Sequence, residues 1–169
     1  MKQQFGKFSA AIAAAKVNHS VWEALRDLSQ TVAGHRLFTV TTVDMEAGLA
    51  RRAFTSHPVE YPLSGTKPIH RDRWFDIVHG EQRSFIANTI GEIAQVFPDH
   101  DLIRSLGCGS VINLPVVLKG ELTATINILH EELYYTPERV ALAEEHRMVP
   151  AMLCCALAYR FDLPDKKPD

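Results

Sequence analysis

The sequence predicts a single α+β domain, an antiparallel sheet with helices from both ends of the chain packed on one of its faces. Three observations lead there. Runs of β-branched and aromatic residues pair up twice as hairpins, and helical periodicity flanks them at both chain ends. The 169 residues, 46% hydrophobic and 22% charged, also match one ordinary globular domain, able to bury roughly two thirds of the surface its unfolded form exposes.

The alanine-rich run from Phe8 to Val17 favours a first helix. Ser20-Val21-Trp22-Glu23 has the form of a capping box, and Trp22, Leu25, Leu28 and Val32 recur at helical spacing until Gly34 ends the helix. Leu37 to Val43 alternates with a period of two, and Gly48 to Thr55 reads as its partner strand after a turn at Asp44 to Ala47. Ser56 to Arg83 is punctuated by Pro58, Pro62, Gly65, Pro68 and Gly80, with a helical turn or two at Arg73 to Val78. So long a connection inside a compact domain points to function. Ser84 to Asn88 fits a short strand; Ile90 to Val96 and Asp101 to Leu106 fit short helices. Ser110 to Leu118 and Leu122 to His130, joined by Lys119-Gly120-Glu121, carry the strongest hairpin signal. Thr136 then caps a long helix with Pro137 at its first position, running to Phe161. The expected division is a helical extension at 1–19, one domain at 20–163 and a polar tail at 164–169.

The formal net charge of -2 lacks the basic excess that phosphate backbones demand, so nucleic acid is not an expected partner. No apolar stretch approaches the ~20 residues needed to span a bilayer, so no membrane partner is expected. The run Ala10 to Ala15 is too weakly hydrophobic for a secretory leader. Cys108, Cys154 and Cys155 are odd in number, and two are adjacent, which argues for reduced thiols and a cytoplasmic setting.

The run Leu106-Gly107-Cys108-Gly109-Ser110-Val111-Ile112-Asn113-Leu114-Pro115-Val116-Val117-Leu118-Lys119-Gly120-Glu121-Leu122 resembles the paired strands of the GAF family, and Thr136-Pro137-Glu138 fits that family's last helix start. The resemblance covers about Ser20 to Tyr159. It implies a central antiparallel sheet with the terminal helices on one face and the long middle segment folded over the other as a pocket lid. PAS and other profilin-like sensor folds share this pattern and remain the alternative. The resemblance also implies dimerisation through the terminal helices, to which Trp22, Met148, Met152, Leu153 and Leu157 offer apolar surface. Against the cyclic-nucleotide-binding branch, Asn127 matches, but Ile128, Tyr135, Arg139 and Val140 replace the lysine, phenylalanine, aspartate and glutamate of its motif. The cysteine-histidine pair of bilin-binding relatives is not found. Only Cys108 approximates the cysteines of the free methionine sulfoxide reductase branch.

Strand parity groups Thr39 with Thr41, and Thr123 with Thr125 and Asn127, opposite the apolar Phe38, Val40, Ala124, Ile126 and Ile128. The hydroxyl and amide face, with Asn113 on the neighbouring strand, faces a segment carrying Tyr61, His70, Arg71, Arg73, Trp74, Phe75 and His79. That polar and aromatic mixture suits a small molecule; the competing reading is a solvated sheet face under a surface loop. Arg51, Arg52, Arg71 and Arg73 are candidates for clamping a carboxylate or phosphate, though such arginines are more often simply solvated. The candidate ligand-binding residues are therefore Thr39, Thr41, Arg52, Tyr61, His70, Arg73, Trp74, Phe75, His79, Asn113, Thr125 and Asn127. His70, His79, Asp72 and Asp76 match no compact zinc spacing, and neither a metal nor a cofactor is identified. No serine lies in a nucleophile-elbow context and no phosphate-binding glycine loop is found, so catalysis is not the expectation. The expected function is a small-molecule sensor acting without a fused output domain, probed against two alternatives: a dimeric interaction module with a vestigial pocket, and a thiol-dependent enzyme centred on Cys108, with Arg104 to lower its pKa.

Overall fold

The computed structural model describes residues 2–161, so the tail expected at 164–169 lies outside the described residues. Helices α1 (Lys2–Ala14) and α2 (Asn18–Val32) lead into strands β1 (Leu37–Asp44) and β2 (Leu49–Thr55). Next come a two-residue strand β3 (Lys67–Pro68), a helical turn α3 (Arg73–Phe75) continued by a π-turn at Asp76–Gly80, and β4 (Phe85–Ala87). Short helices α4 (Ile90–Ala94) and α5 (His100–Ser105) precede β5 (Ser110–Leu118), β6 (Glu121–His130) and the long α6 (Pro137–Phe161). The strands form one antiparallel sheet in the order β3-β2-β1-β6-β5-β4.

Alternation along the strands sends Phe38, Val40, Ile112, Leu114, Ala124, Ile126 and Ile128 to one face, where they pack against Trp22, Leu25 and Leu28 of α2 and Ala151, Cys154 and Cys155 of α6. The α+β architecture expected from sequence is thus present, with the terminal helices on one face of the sheet. Phe8 of α1 joins this core, and Phe5 meets His146 of α6 edge-on. A second core lies on the other face, where Leu37, Val111 and Leu129 meet Val78, Ile93 and Ile103 from the segment between β2 and β5.

Local structure differs from the sequence reading in several places, beginning with α1, which spans Lys2–Ala14 rather than Phe8 to Val17. Helix α2 begins at Asn18, so Ser20 lies inside it and makes no cap; Val17 is the N-cap and contributes no side-chain bond. The capping box is instead at Thr89, whose hydroxyl accepts from Glu92 N–H at 3.2 Å while the Glu92 carboxylate accepts from the Thr89 amide at 3.0 Å. The β5–β6 connection is a two-residue turn, with Lys119 and Gly120 both at positive φ, 53° and 83°, as the twist of a tight hairpin requires. Gly34 closes α2 at φ 75°, and a Cβ there would lie 2.3 Å from the Tyr134 hydroxyl.

Arg147 of α6 is anomalous. Its side chain is 0% exposed, its Nε–H donates to the Ala143 carbonyl at 3.2 Å, and neither Nη1 nor Nη2 has a hydrogen-bond partner among the described residues. No helix among the described residues is long and apolar enough to cross a membrane.

Candidate functional site

Two rows of side chains cross the sheet on the face opposite the terminal helices. In one, register places Thr39 of β1 opposite Asn127 of β6, which in turn stands opposite Asn113 of β5. In the other, Arg52 of β2 faces Thr41 of β1, and Thr41 faces Thr125 of β6. Together they floor a cavity of about 360 Å³.

The floor is wired in one direction. The Trp74 indole Nε1–H donates to Asn113 Oδ1 at 3.0 Å, Asn113 Nδ2 donates to Asn127 Oδ1 at 2.7 Å, and Asn127 Nδ2 donates to the hydroxyls of Thr39 at 3.1 Å and Thr41 at 3.3 Å. An indole nitrogen can only donate, so the Asn113 atom facing it must be the oxygen. That orients the Asn113 amide, which orients the Asn127 amide in the same way. The relay ends with two threonine oxygens acting as acceptors, and neither hydroxyl donates to protein among the described residues.

A β-bulge supplies the charge. The β1–β2 register slips between Val40 and Thr41, so that Val40 pairs with Phe54 and Thr41 with Arg52, leaving Ala53 as the extra residue. Uninterrupted alternation from Thr55 would have turned Arg51 toward this face; the bulge turns Arg52 there instead. Arg51 lines a separate cavity of about 250 Å³ on the helix side, together with Trp22 and Cys155, so Arg51 and Arg52 do not share a site. A second bulge between Val116 and Val117 pairs Val117 with Leu122 and skips Thr123. Thr123 therefore lines the helix-side cavity rather than joining Thr125 and Asn127, against the simple parity reading.

The segment between β2 and β5 forms the opposite wall. Tyr61 donates its hydroxyl to Asp99 Oδ2 at 2.5 Å, and the Arg52 guanidinium lies 3.7 Å over the Tyr61 ring while donating to the Pro62 carbonyl at 2.6 Å. Burial first, and then the hydrogen bond to Asp99, raise the Tyr61 pKa, so the phenol remains a donor. Trp74, Ile69 and Phe97 add apolar wall, Ile103, Val111 and Leu129 the apolar floor, and Lys67 and His70 sit exposed at the mouth.

The structure thus brings Thr39, Thr41, Arg52, Tyr61, His70, Trp74, Asn113, Thr125 and Asn127 to one cavity. It does not bring Arg73, Phe75 or His79 there. The helical turn that aims Trp74 at the floor rotates Phe75 away from it, where its ring stacks on His79 at 4.5 Å with the Arg71 guanidinium 5.6 Å away. Arg73 points to solvent. Sequence reasoning missed Asp99, Phe97 and Ile103, which reach the cavity from around α5; nothing in their local pattern distinguishes them from ordinary helix-cap and core residues.

No family model and no curated protein matches the chain by sequence. Its three-dimensional form is nevertheless similar to solved structures. The GAF domain/HD domain protein from Geobacter sulfurreducens superposes with a TM-score of 0.67 over 90% of this chain and 99% of that one, at 11% identity. The GAF domain of a two-component sensor histidine kinase from Bacillus halodurans gives 0.66 over 83% of this chain and 95% of that one, at 8% identity. This chain has a GAF-like fold. The chromophore-binding domain of a bacteriophytochrome from R. palustris shares it, with a TM-score of 0.63 over 94% of this chain and 63% of that one, at 10% identity.

On this GAF-like fold the cysteines stand apart from the cavity chemistry. Cys108 is 3% exposed, and burial pushes its thiol up to about 11, with Arg36 rather than Arg104 exerting a weak opposing pull. This speaks against the thiol-dependent alternative, which needs an exposed, activated thiolate at the strand edge. Cys154 and Cys155 are buried and free, each pushed up to about 12 by burial. Among the described residues no group of three His, Cys, Asp or Glu side chains is placed to hold a metal ion. The helix surface also differs from expectation: Trp22 is buried, Met148, Met152 and Leu157 are half-buried against the core, and the exposed apolar stripe on α6 consists of Leu142, Val149 at 73% exposure, and Leu153.

Proposed function

We propose that this chain is a sensory or regulatory domain that holds a small molecule between the polar sheet face and the segment around Tyr61 and Trp74. The observation that carries this reading is the cavity of about 360 Å³ with a fully ordered amide relay on its floor. That volume lies at the small end of ligand sites, and its mixture of apolar walls with a few convergent polar groups is the composition such sites have. Turning Phe75 away keeps the cavity open, which favours a ligand-binding domain over an interaction module with a filled pocket. The likeness to a chromophore-binding domain and to a sensor kinase's GAF domain supports the same reading.

The exposed stripe of Leu142, Val149 and Leu153 supports a homodimer through the terminal helices as the route by which occupancy is passed on. Three free, buried thiols support a reducing, cytoplasmic setting. Native mass spectrometry of the protein as purified from cells, compared with the same sample denatured, tests both parts. A non-covalent mass lost on denaturation is the expected result, carried on a dimer that Val149→Glu converts to monomer. A ligand-free protein whose cavity takes up no small organic probe, in titrations of the kind described below, would count against the sensor reading.

A further inference from the structure

We propose that the ligand is a small organic monocarboxylate, seated with its carboxylate oxygens on the Thr39 and Thr41 hydroxyls and the Arg52 guanidinium and its apolar body against Trp74, Phe97 and Ile103. This rests on the cavity being the ligand site.

The direction of the relay decides the polarity of the partner. Both threonine oxygens already accept from Asn127, which leaves each with its O–H donor and a single lone pair. Arg52 stands beside Thr41 in the next strand and commits one of its N–H groups to the Pro62 carbonyl, leaving the others to donate. The lining carboxylates lie on the opposite wall, each with one oxygen engaged: Asp99 Oδ2 takes the Tyr61 hydroxyl, and Asp72 Oδ1 takes the Phe75 amide at 3.0 Å. On the floor the uncommitted protons of Thr39, Thr41 and Arg52 stand side by side with its one positive charge, and they call for a ligand rich in acceptors.

Charge narrows the class further. A guanidinium fork meets a planar carboxylate through paired hydrogen bonds. One such fork can neutralise one negative charge, while Asp72 and Asp99 in the same lining oppose a second. Lys67 is exposed at the mouth and does not reinforce the floor. A dianionic phosphate is thus disfavoured relative to a monocarboxylate, and the indole and phenyl walls suit an aromatic or aliphatic body.

The test compares phenylacetate, its neutral amide phenylacetamide, and phenyl phosphate, each titrated into the full chain while the Trp74 indole N–H resonance is followed by NMR. Phenylacetate is expected to shift that resonance and to bind about tenfold or more tightly than the amide, with phenyl phosphate weaker than the carboxylate. Arg52→Gln and Thr41→Val are each expected to weaken phenylacetate about tenfold while leaving the amide within about threefold. An amide that binds as tightly as the acid, a phosphate that binds more tightly, or variants that leave the acid untouched would overturn the carboxylate assignment while the cavity reading stands. If none of the three probes moves the Trp74 signal, both fall. The wild-type ranking of acid, amide and phosphate decides the matter even where a variant fails to fold.

Discussion

Replacing Arg147 with methionine is expected to stabilise the protein. The side chain is wholly buried, among the described residues only its Nε–H is satisfied, and burial pushes the guanidinium from 12.5 down to about 10. At about 1.4 kcal/mol per pKa unit, that drop means the charge costs the fold about 3 kcal/mol at neutral pH. Methionine keeps an unbranched apolar stem and removes the unmet donors, but it gives up the bond to Ala143 and leaves space where the guanidinium was, together about 1–2 kcal/mol. The net expectation is a gain of about 1–2 kcal/mol, or roughly 2–8 °C in Tm for a chain of this size. Differential scanning calorimetry at pH 7 measures it. The sign also makes a pH prediction. A base whose folded pKa lies below its unfolded value penalises the fold while charged, so wild-type stability gains on the variant as pH rises past about 10 toward 12.5. A fall in Tm for Arg147→Met would refute the reasoning, because it would mean that the buried guanidinium is engaged and contributes stability.

Tyr135→Phe removes a buried hydroxyl that donates to the Gly34 carbonyl at 3.0 Å, and is expected to cost about 1–2 kcal/mol in urea unfolding; an unchanged midpoint would show that the bond contributes nothing. His35, held at about 4 instead of 6.5 chiefly by burial, keeps its stabilising effect above pH 6.5 and loses it as the unfolded chain takes up the proton between pH 6.5 and 4. His35→Gln should flatten that part of the acid limb, and an identical limb in variant and wild type would exclude His35 as its source. With its thiol near 11, Cys108 carries thiolate in about one molecule in ten thousand at pH 7, so iodoacetamide should label it in denatured protein and leave it intact in the native fold. Trp74→Phe keeps an aromatic wall but removes the indole donor; the preference of the cavity for phenylacetate over its amide should fall at least about threefold, and an unaltered preference would show that the relay does not set it.

The elements were legible in the sequence wherever one local rule sufficed. Period-two alternation located β1, β5 and β6 to within a residue or two, and Thr136-Pro137 marked the start of α6, because both signals act between near neighbours. The site was only partly legible. Thr39, Thr125, Asn113 and Asn127 follow from parity alone, since each lies on an uninterrupted stretch of strand. Arg51, Arg52 and Thr123 do not, because a bulge reverses parity and no residue type announces it. Nor did local pattern reveal the contacts that join distant segments: Asn127 meets Thr39 from 88 residues away, and Tyr61 meets Asp99 from 38 residues away. Arg73, Phe75 and His79 were misplaced for a related reason. The right residue types were clustered in the right segment, but one helical turn cannot aim Phe75 and Trp74 in the same direction.

Trp74 ties the state of the lid to the chemistry of the floor. Two aromatic donors of the segment over the sheet are engaged, the Tyr61 hydroxyl on Asp99 within that same segment and the Trp74 indole on Asn113 of β5. Only the second reaches the amides of the floor, because Asn113 is free to present either end of its amide once the indole is gone, and the orientation of Asn127 follows from that of Asn113. With the amides reversed, Asn127 would turn its oxygen to Thr39 and Thr41, and the threonine O–H groups would be drawn into the floor rather than offered to the cavity. The donor face that suits a carboxylate is therefore fixed only while Trp74 is docked. A ligand that uses that face would favour the arrangement with Trp74 docked over one without it, and such a difference is what a binding event needs in order to shift a conformational equilibrium. A neutral ligand resting only on the apolar walls gains nothing from the relay and pulls on the lid less strongly.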